Sequence, residues 1–359
     1  MSFQDVRDSL IYALADGCID EEEFLILNEY FQSTNPLYPY WDYDAFCLDD
    51  LDTTECKTEF RFEKEDIPLL ARTLRVPDTF RCRQGTVCSG IEGLCMILKR
   101  LAYPCRYYDM ITRFARPVPE LCMLSNVVLD WIYDTHGHHL TSWNQPFLSP
   151  PFLEQYTQVI SRMGPLRNCF GFIDGTVHQI SRPEENQRVV YNGHKRVHSL
   201  KFQSVVIPNG LIANLFGPVE GRRHDAGMLK DSNLLASLQI YAHNPAGDPL
   251  CLYGDLGYPL RPQLMCPFRQ TDYPVLTRDM KEFNTAMSRL RVSVEWLFGE
   301  VTNYFKFIDY KKTQKIGMSA VGKQYLVSAL MRNALTCLYG NNTSAYFQLQ
   351  PPTLDNYFV

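Results

Sequence analysis

The stretch GFIDGTVHQI, residues 171–180, drives an apolar run directly into a carboxylate and then a glycine. Phe170, Phe172 and Ile173 read as a buried strand, which places Asp174 where that strand surfaces. Gly175 frees the backbone there to turn or to let a ligand approach closely. An acid at such an edge is a candidate metal ligand. The alternative is a strand-end aspartate that caps a turn, and Asp174 alone does not separate the two.

At 359 residues and 45% apolar content the chain carries core enough for one large domain or two of ordinary size. It has no run of eighteen apolar residues, and its first residues, MSFQDVRDSLIYALADG, lack the pattern of a signal peptide. A soluble, unexported protein without a membrane span is expected. The twelve cysteines are scattered, with no CxxC pair and no pair of histidines to match one at zinc spacing, and read as small buried side chains of a reducing compartment. The net charge of -5 hides an asymmetry: residues 1–70 hold 18 acids against 4 bases, leaving 22 acids against 31 bases in the body. A basic body with an acidic arm fits a polyanion binder, and it equally fits a solvated surface beside an interaction tail.

Residues 1–60 read as an acidic N-terminal helix and connector. Phe3, Val6, Leu10, Leu14, Phe24 and Leu27 keep helical spacing, with a break at Asp16-Gly17, and the Asn-, Pro-, Tyr- and Asp-rich stretch after residue 30 is expected to be loop. Residues 61–148 read as all-helical, with Asp66-Ile67-Pro68 opening one helix and a Ser89/Glu92 capping box opening another. The closely connected helices there fit either a helix-turn-helix or a structural bundle. Arg100, Arg106, Arg113 and Arg116 in this region are better placed for phosphates than for bases. The Ser-Pro-Pro joint at 149–151 opens a domain spanning 149–338, and 339–359 reads as a C-terminal tail.

Within 149–338, HSLKFQSVVIPNGLIANLFGPVEG alternates like two strands joined at Pro-Asn-Gly, and HDAGMLKDSNLLASLQIY reads as a helix with Asp225 near its start. LCLYGDLGYPL, 250–260, is a second apolar strand that delivers Asp255 into a glycine-flanked turn. In NTAMSRLRVSVEWLFGEV, an apolar stripe of Phe283, Met287, Leu290, Val294, Leu297 and Val301 marks a helix with one buried face. Glu295 lies on a neighbouring face with Arg291 one turn before it, a pair that also fits an ordinary intrahelical ion pair. Asp174, Asp255 and Glu295 together make a physically sensible site for magnesium or manganese, hard cations that take oxygen ligands. Two such metals activate a water or a 3′-hydroxyl and stabilise the leaving oxygen in phosphodiester displacement. His194 and His198 are four apart, but their basic neighbours favour phosphate or structural roles over a metal pair. YKKTQK at 310–315 is a weak import signal and more simply a solvated loop.

IDGT at 173–176, YNGHKRVH at 191–198, GRRHD at 221–225, GDLGYPL at 254–260 and RLRVSVEWLFGE at 289–300, in that order, resemble the PIF/Harbinger transposases and the Harbinger transposase-derived nucleases. The resemblance covers about 170–338, and 89–116 looks like the N-terminal helical region of that family. It implies an α/β fold, an RNase H-like mixed sheet flanked by helices, carrying a DDE site with Asp174, Asp255 and Glu295 as catalytic metal ligands for Mg2+ or Mn2+. It implies a DNA endonuclease or transposase working by a two-metal mechanism, with Arg291 and Asp225 in accessory roles. Asp225 stands in a motif of the family, as a ligand or behind one, and its predicted place at a helix start leaves Asp255 the preferred second aspartate. DNA contacts are expected from Lys195, Arg196, Arg222, Arg223 and Lys306, the last because the family's lysine seven positions after the glutamate is Thr302 here. A Myb-like DNA-binding partner, a nuclear location with a cytoplasmic pool and compatibility with a homo-oligomer complete the expectation. The competing one is a domesticated, non-cutting scaffold that acts on DNA with the same partner.

Overall fold

A computed structural model describes residues 3–31 and 38–359 of the chain. The N-terminal acidic segment is two helices, Phe3–Ala15 and Glu21–Phe31, and the break falls at Gly17, whose φ of +70° suits glycine. Part of the expected connector, 32–37, lies outside the described residues. The remainder is more ordered than a loop: Asp52 and Glu55 form a capping box that opens the helix Thr53–Phe60, and Cys56 and Phe60 on it are buried.

The region expected to be all-helical contains helices Asp66–Thr73, Gly90–Ala102, Tyr108–Phe114 and Val118–His136, but also an antiparallel pair of strands, β1 (Thr79–Arg81) and β2 (Val87–Ser89). Their β-favouring Thr79, Phe80 and Val87 flank a turn in which Gly85 takes a φ of +93°, a hairpin too short to show as a period. Ser89 accepts the Glu92 amide at 3.1 Å, yet the Glu92 carboxylate turns away to Arg116 (2.6 and 3.0 Å), so only half of the predicted capping box forms. Arg113 is likewise held by Glu59 and Glu55, while Arg100 donates to the Cys105 carbonyl and lies over the rings of Tyr107 and Phe307. Three of the four arginines proposed for phosphates are therefore occupied inside the protein, because half-buried guanidinium groups need fixed acceptors.

The main sheet is built on β3 (Cys169–Gln179), β4 (Tyr191–Asn192), β5 (Val197–Val206), β6 (Ile212–Glu220), β7 (Cys251–Tyr253) and β8 (Leu264–Met265). β3 is central: it pairs antiparallel with β5 and parallel with β7, β5 pairs with both β4 and β6, and β8 lies beyond β7. The Pro-Asn-Gly hairpin forms between β5 and β6, with Gly210 at φ +85°. The predicted helix after β6 is instead two, Asp225–Asp231 and Leu234–Tyr241, parted where Asn233 takes a φ of 53°.

Helices Pro150–Met163, Arg278–Tyr304 and Val321–Tyr339 flank the sheet, and Met287, Leu290, Val294, Leu297 and Val301 of the long helix are buried as the stripe predicts. No helix among the described residues is long and apolar enough to cross a membrane. Residues 342–357 carry two further short helices, and Phe347, Leu354 and Tyr357 are buried. Asn333 locks this end in place: it donates to the Tyr357 hydroxyl (2.8 Å) and to the Ile212 carbonyl of β6, and accepts the Ile212 amide.

Beside it, Arg332, only 2% exposed, donates to Glu300 of the long helix at 2.7 Å and lies over the Tyr304 ring. Arg332→Ala leaves a buried carboxylate unpaired, so urea unfolding should lose about 3–5 kcal/mol, whereas an Arg332→Met, Glu300→Leu double change should lose much less. Equal losses would show that the pair contributes packing alone.

Candidate active site

Parallel pairing of β3 with β7 sets Phe172 opposite Tyr253, and two residues beyond each partner come Asp174 and Asp255. The expected strand end at Asp174 is not there, since β3 continues past it to Gln179 with Asp174 opposite Ser204 of β5; it is β7 that stops, at Tyr253, and Asp255 follows beside the middle of β3. The predicted strand of residues 250–260 stops at Tyr253, because Gly254 packs on Tyr258 and Ile173 and the chain turns. Arg269 pins that turn by donating to the Leu256 carbonyl (2.9 Å) and the Tyr258 carbonyl (2.5 Å).

Asp225, at the start of its helix, enters the same site. A Cβ on Gly175 would lie 2.5 Å from Asp225 Oδ1, and one on Gly257 would lie 3.0 Å from Asp255 Oδ1 and 3.1 Å from Asp225 Oδ2. The two glycines are thus the floor on which the three aspartates converge. Asp225 does start a helix, as expected, and its carboxylate lies over Gly175 and Gly257 beside Asp174 and Asp255.

Glu295 sits differently. Its side chain is 57% exposed, and Arg291 stands between it and Asp174, donating from Nη1 to Asp174 Oδ2 at 2.6 Å and from Nη2 to Glu295 Oε1 at 3.4 Å. The fourth-residue spacing gives the second contact, and the packing of the long helix against β3 gives the first.

Two groups not expected among the site residues complete it, one of them, Tyr258, within the GDLGYPL motif. Lys201 of β5, 8% exposed, donates to Asp225 Oδ1 at 2.7 Å and to the Arg223 carbonyl at 2.9 Å. The signal was available: a lysine inside the apolar alternation HSLKFQSVV has to find an acceptor when its strand is buried. Tyr258 is fully buried with its hydroxyl unpartnered, and burial together with the charges of Asp225, Asp174 and Asp255 raises its pKa well above the usual phenol range.

Burial also pushes the Asp174 carboxyl up to about 6, with the nearby Asp255 charge adding to it, although Arg291 and the Gly175 amide (2.8 Å) pull the other way. The region is therefore over-supplied with negative charge, even with Arg291 and Lys201 in place. Its donors are all carboxylate oxygens, the chemistry that magnesium and manganese take. Among the described residues no group of three or more His, Cys, Asp or Glu side chains is arranged to hold a metal ion, and Arg291 and Lys201 each take one carboxylate oxygen, of Asp174 and of Asp225. The donor set fits a divalent cation; the present pairing is that of side-chain cations.

The other expected contacts are dispersed. Lys195 and Arg196 are exposed on the turn between β4 and β5, and Arg222 is exposed just after β6. Arg223 is held by Asp231 and Glu220, and Lys306 by Asn303 and Asp309. Thr302 turns its hydroxyl back to the Phe298 and Gly299 carbonyls, and His198 rests on Tyr191.

Gly175→Ala forces the added methyl onto the Asp225 carboxylate. Manganese binding by calorimetry should weaken at least tenfold with little loss of thermal stability, and unchanged binding would remove Asp225 from the site. A second expectation follows from Asp174. The folded carboxyl keeps its proton to about 6, whereas an unfolded one releases it near 4. The folded state therefore binds more protons in that window, so metal-free stability is greatest below it and falls as pH rises through about 6. In EDTA, Asp174→Asn should raise the unfolding midpoint at pH 8 relative to its effect at pH 4.5; an equal effect at both would contradict the burial argument.

Compared with known proteins, residues 173–333 match the family model described as DDE superfamily endonuclease. The comparisons with curated proteins and with solved structures gave no match. The matched segment begins one residue before Asp174 and contains Asp225, Asp255, Arg291 and Glu295, so the part of the chain that assembles the carboxylates is the part similar to DDE endonucleases.

Proposed function

We propose that the protein is a metal-dependent DNA endonuclease of the Harbinger transposase type. The observation that carries this reading is the convergence of Asp174, Asp225 and Asp255 on Gly175 and Gly257 inside the segment similar to DDE endonucleases. The ordered motifs from IDGT to RLRVSVEWLFGE support the Harbinger assignment, and the sheet order β6-β5-β3-β7-β8, three antiparallel strands followed by two parallel ones, supports an RNase H-like core.

In this reading Asp174, Asp255 and Asp225 hold Mg2+ or Mn2+, with Glu295 as the outer member of the set. When bound, the metals supply an activated water and charge stabilisation at the departing 3′ oxygen. The protein's own groups do the rest. Lys201 orients Asp225, and Arg291 keeps Asp174 and Glu295 from repelling one another before substrate arrives. The buried Tyr258 hydroxyl is an unused donor within the electrostatic reach of the aspartates. Lys195, Arg196 and Arg222 contact DNA phosphates, and a Myb-like protein brings the nuclease to its sites in the nucleus.

The second reading, a non-cutting DNA-associated scaffold, is favoured by one observation: Arg291 bridges Asp174 and Glu295 as a built-in cation. Nicking of supercoiled plasmid in Mg2+ or Mn2+ separates the two. The parent should nick, EDTA should stop it, and Asp174→Asn, Asp225→Asn and Asp255→Asn should each lower the rate at least a hundredfold. If the parent stays silent with Myb-like partner and terminal-repeat DNA present while DNA is still bound, the scaffold reading replaces the nuclease.

A further inference from the structure

A second cavity lies along the chain from the carboxylates. It has a volume of about 530 Å³ and is lined by Arg182, Arg188, Tyr191, His198 and Arg222, together with Gln187 and Gly193, with no acid among the lining residues. That volume is in the range of small-ligand sites. Arg188 and Arg222 form no ion pair among the described residues, whereas Arg113 and Arg116 of the helical region are paired to glutamates. Arg182 is fixed against Gln187 Oε1 at 3.0 Å. Tyr191 stays 40% exposed while the His198 ring meets it edge-on, centroids 5.4 Å apart, so the aromatic ring is held in place with surface to spare.

The walls are tied together. Asn192 donates to the Gly221 carbonyl at 2.9 Å and accepts the Lys195 amide at 2.8 Å, and the Arg222 amide donates to the Val189 carbonyl. Gly221 sits so close to Ser199 and the Val190 carbonyl that no side chain fits there, which brings Arg222 alongside Arg188 and Tyr191. Arg222 also lines an adjoining cavity of about 340 Å³ with Val189, Glu220, Arg223 and His224. His224 precedes Asp225, and Lys201 bridges the Arg223 carbonyl and the Asp225 carboxylate, so the segment that lines these cavities is tied directly to one carboxylate of the site.

We propose that this cavity is a nucleotide subsite that takes an unpaired nucleotide neighbouring the cut phosphate. Arg188 and Arg222 hold its phosphate, and Tyr191 stacks on its base. Unneutralised arginines beside a fixed, exposed aromatic ring are the chemistry by which proteins hold single-stranded nucleic acid. A duplex backbone calls for the cations alone, and its paired bases give Tyr191 nothing to stack on. The substrate class assigned to the site is therefore DNA with a frayed or single-stranded end beside the scissile bond. This rests on the reading of the chain as a DNA-acting protein and goes beyond it in naming the form of DNA.

The test is fluorescence anisotropy with the full chain in EDTA, so that no cutting is needed. The probes are a labelled blunt 20-base-pair duplex and the same duplex with a three-nucleotide single-stranded end. The parent should bind the overhang at least tenfold more tightly. Tyr191→Ala should bring the overhang within twofold of the blunt duplex while keeping blunt affinity and the unfolding midpoint. Arg188→Ala with Arg222→Ala should lower the salt slope for the overhang by about 0.7 to 1.4, the release expected from one or two single-strand phosphates. Equal binding of both probes by the parent, or a Tyr191→Ala loss shared equally by both, would overturn the subsite. A parent that prefers the overhang but never nicks plasmid keeps the subsite and loses the nuclease; one that nicks without preference does the reverse.

Discussion

A carboxylate on the central strand, too enclosed to be comfortable as an anion, is the constraint from which the site follows. Asp174 could stay on β3 only if something positive reached it, and Arg291 does so at 2.6 Å from the helix that packs across the sheet. That requirement fixes the rotation of the long helix as firmly as its apolar stripe does. With Met287, Leu290 and Val294 turned to the core, the adjacent face brings Arg291 over β3 and leaves Glu295 one turn further out. The same argument applies on the other side of β3, where Lys201 of β5 answers Asp225. Two protein cations, one from each side, compensate three converging aspartates and still leave the Asp174 carboxyl shifted to about 6.

Close approach, rather than any special backbone conformation, is what Gly175 and Gly257 contribute. Neither has the positive φ that marks Gly85 or Gly210, yet each lies where a Cβ would strike a carboxylate. Glycine after Asp174 therefore has a specific reason here: a third element, the start of the helix Asp225–Asp231, must set its side chain down against β3.

What the sequence made legible was local or periodic. The apolar run into Asp174, the alternation of β5 and β6 and the three-and-four stripe from Phe283 to Val301 are each a pattern within one element. The two apolar runs into Asp174 and Asp255 were legible as strands, but that β3 continues past Asp174 to Gln179 was not, because its pairing with β5 is what extends it. Contacts between elements distant in sequence were not legible. Nothing near residue 201 announces Asp225, and nothing near Arg113 or Arg116 announces Glu59 or Glu92. The short β1–β2 hairpin escaped for a different reason, since three residues per strand are too few to show a period of two.

Those long-range pairs also change what the charge balance means. The basic excess after residue 70 reads, in sequence, as a basic surface, but much of it is directed inward. Lys99 and Arg113 neutralise Glu59, Arg116 neutralises Glu92 and Glu120, and Arg332 is sealed against Glu300. The acidic segment before residue 70 in part supplies those partners and is no free arm where Glu55 and Glu59 are engaged. Positive charge left without a carboxylate is what an incoming polyanion encounters, and Arg188 and Arg222 carry it around the exposed ring of Tyr191. A count of lysines and arginines favours the helical region as the phosphate-binding face. Pairing takes Lys99, Arg113 and Arg116 out of that count, while the turn beside β4 and the residues that lead from β6 into Asp225 keep Arg188 and Arg222 unpaired, Arg222 only three residues before Asp225.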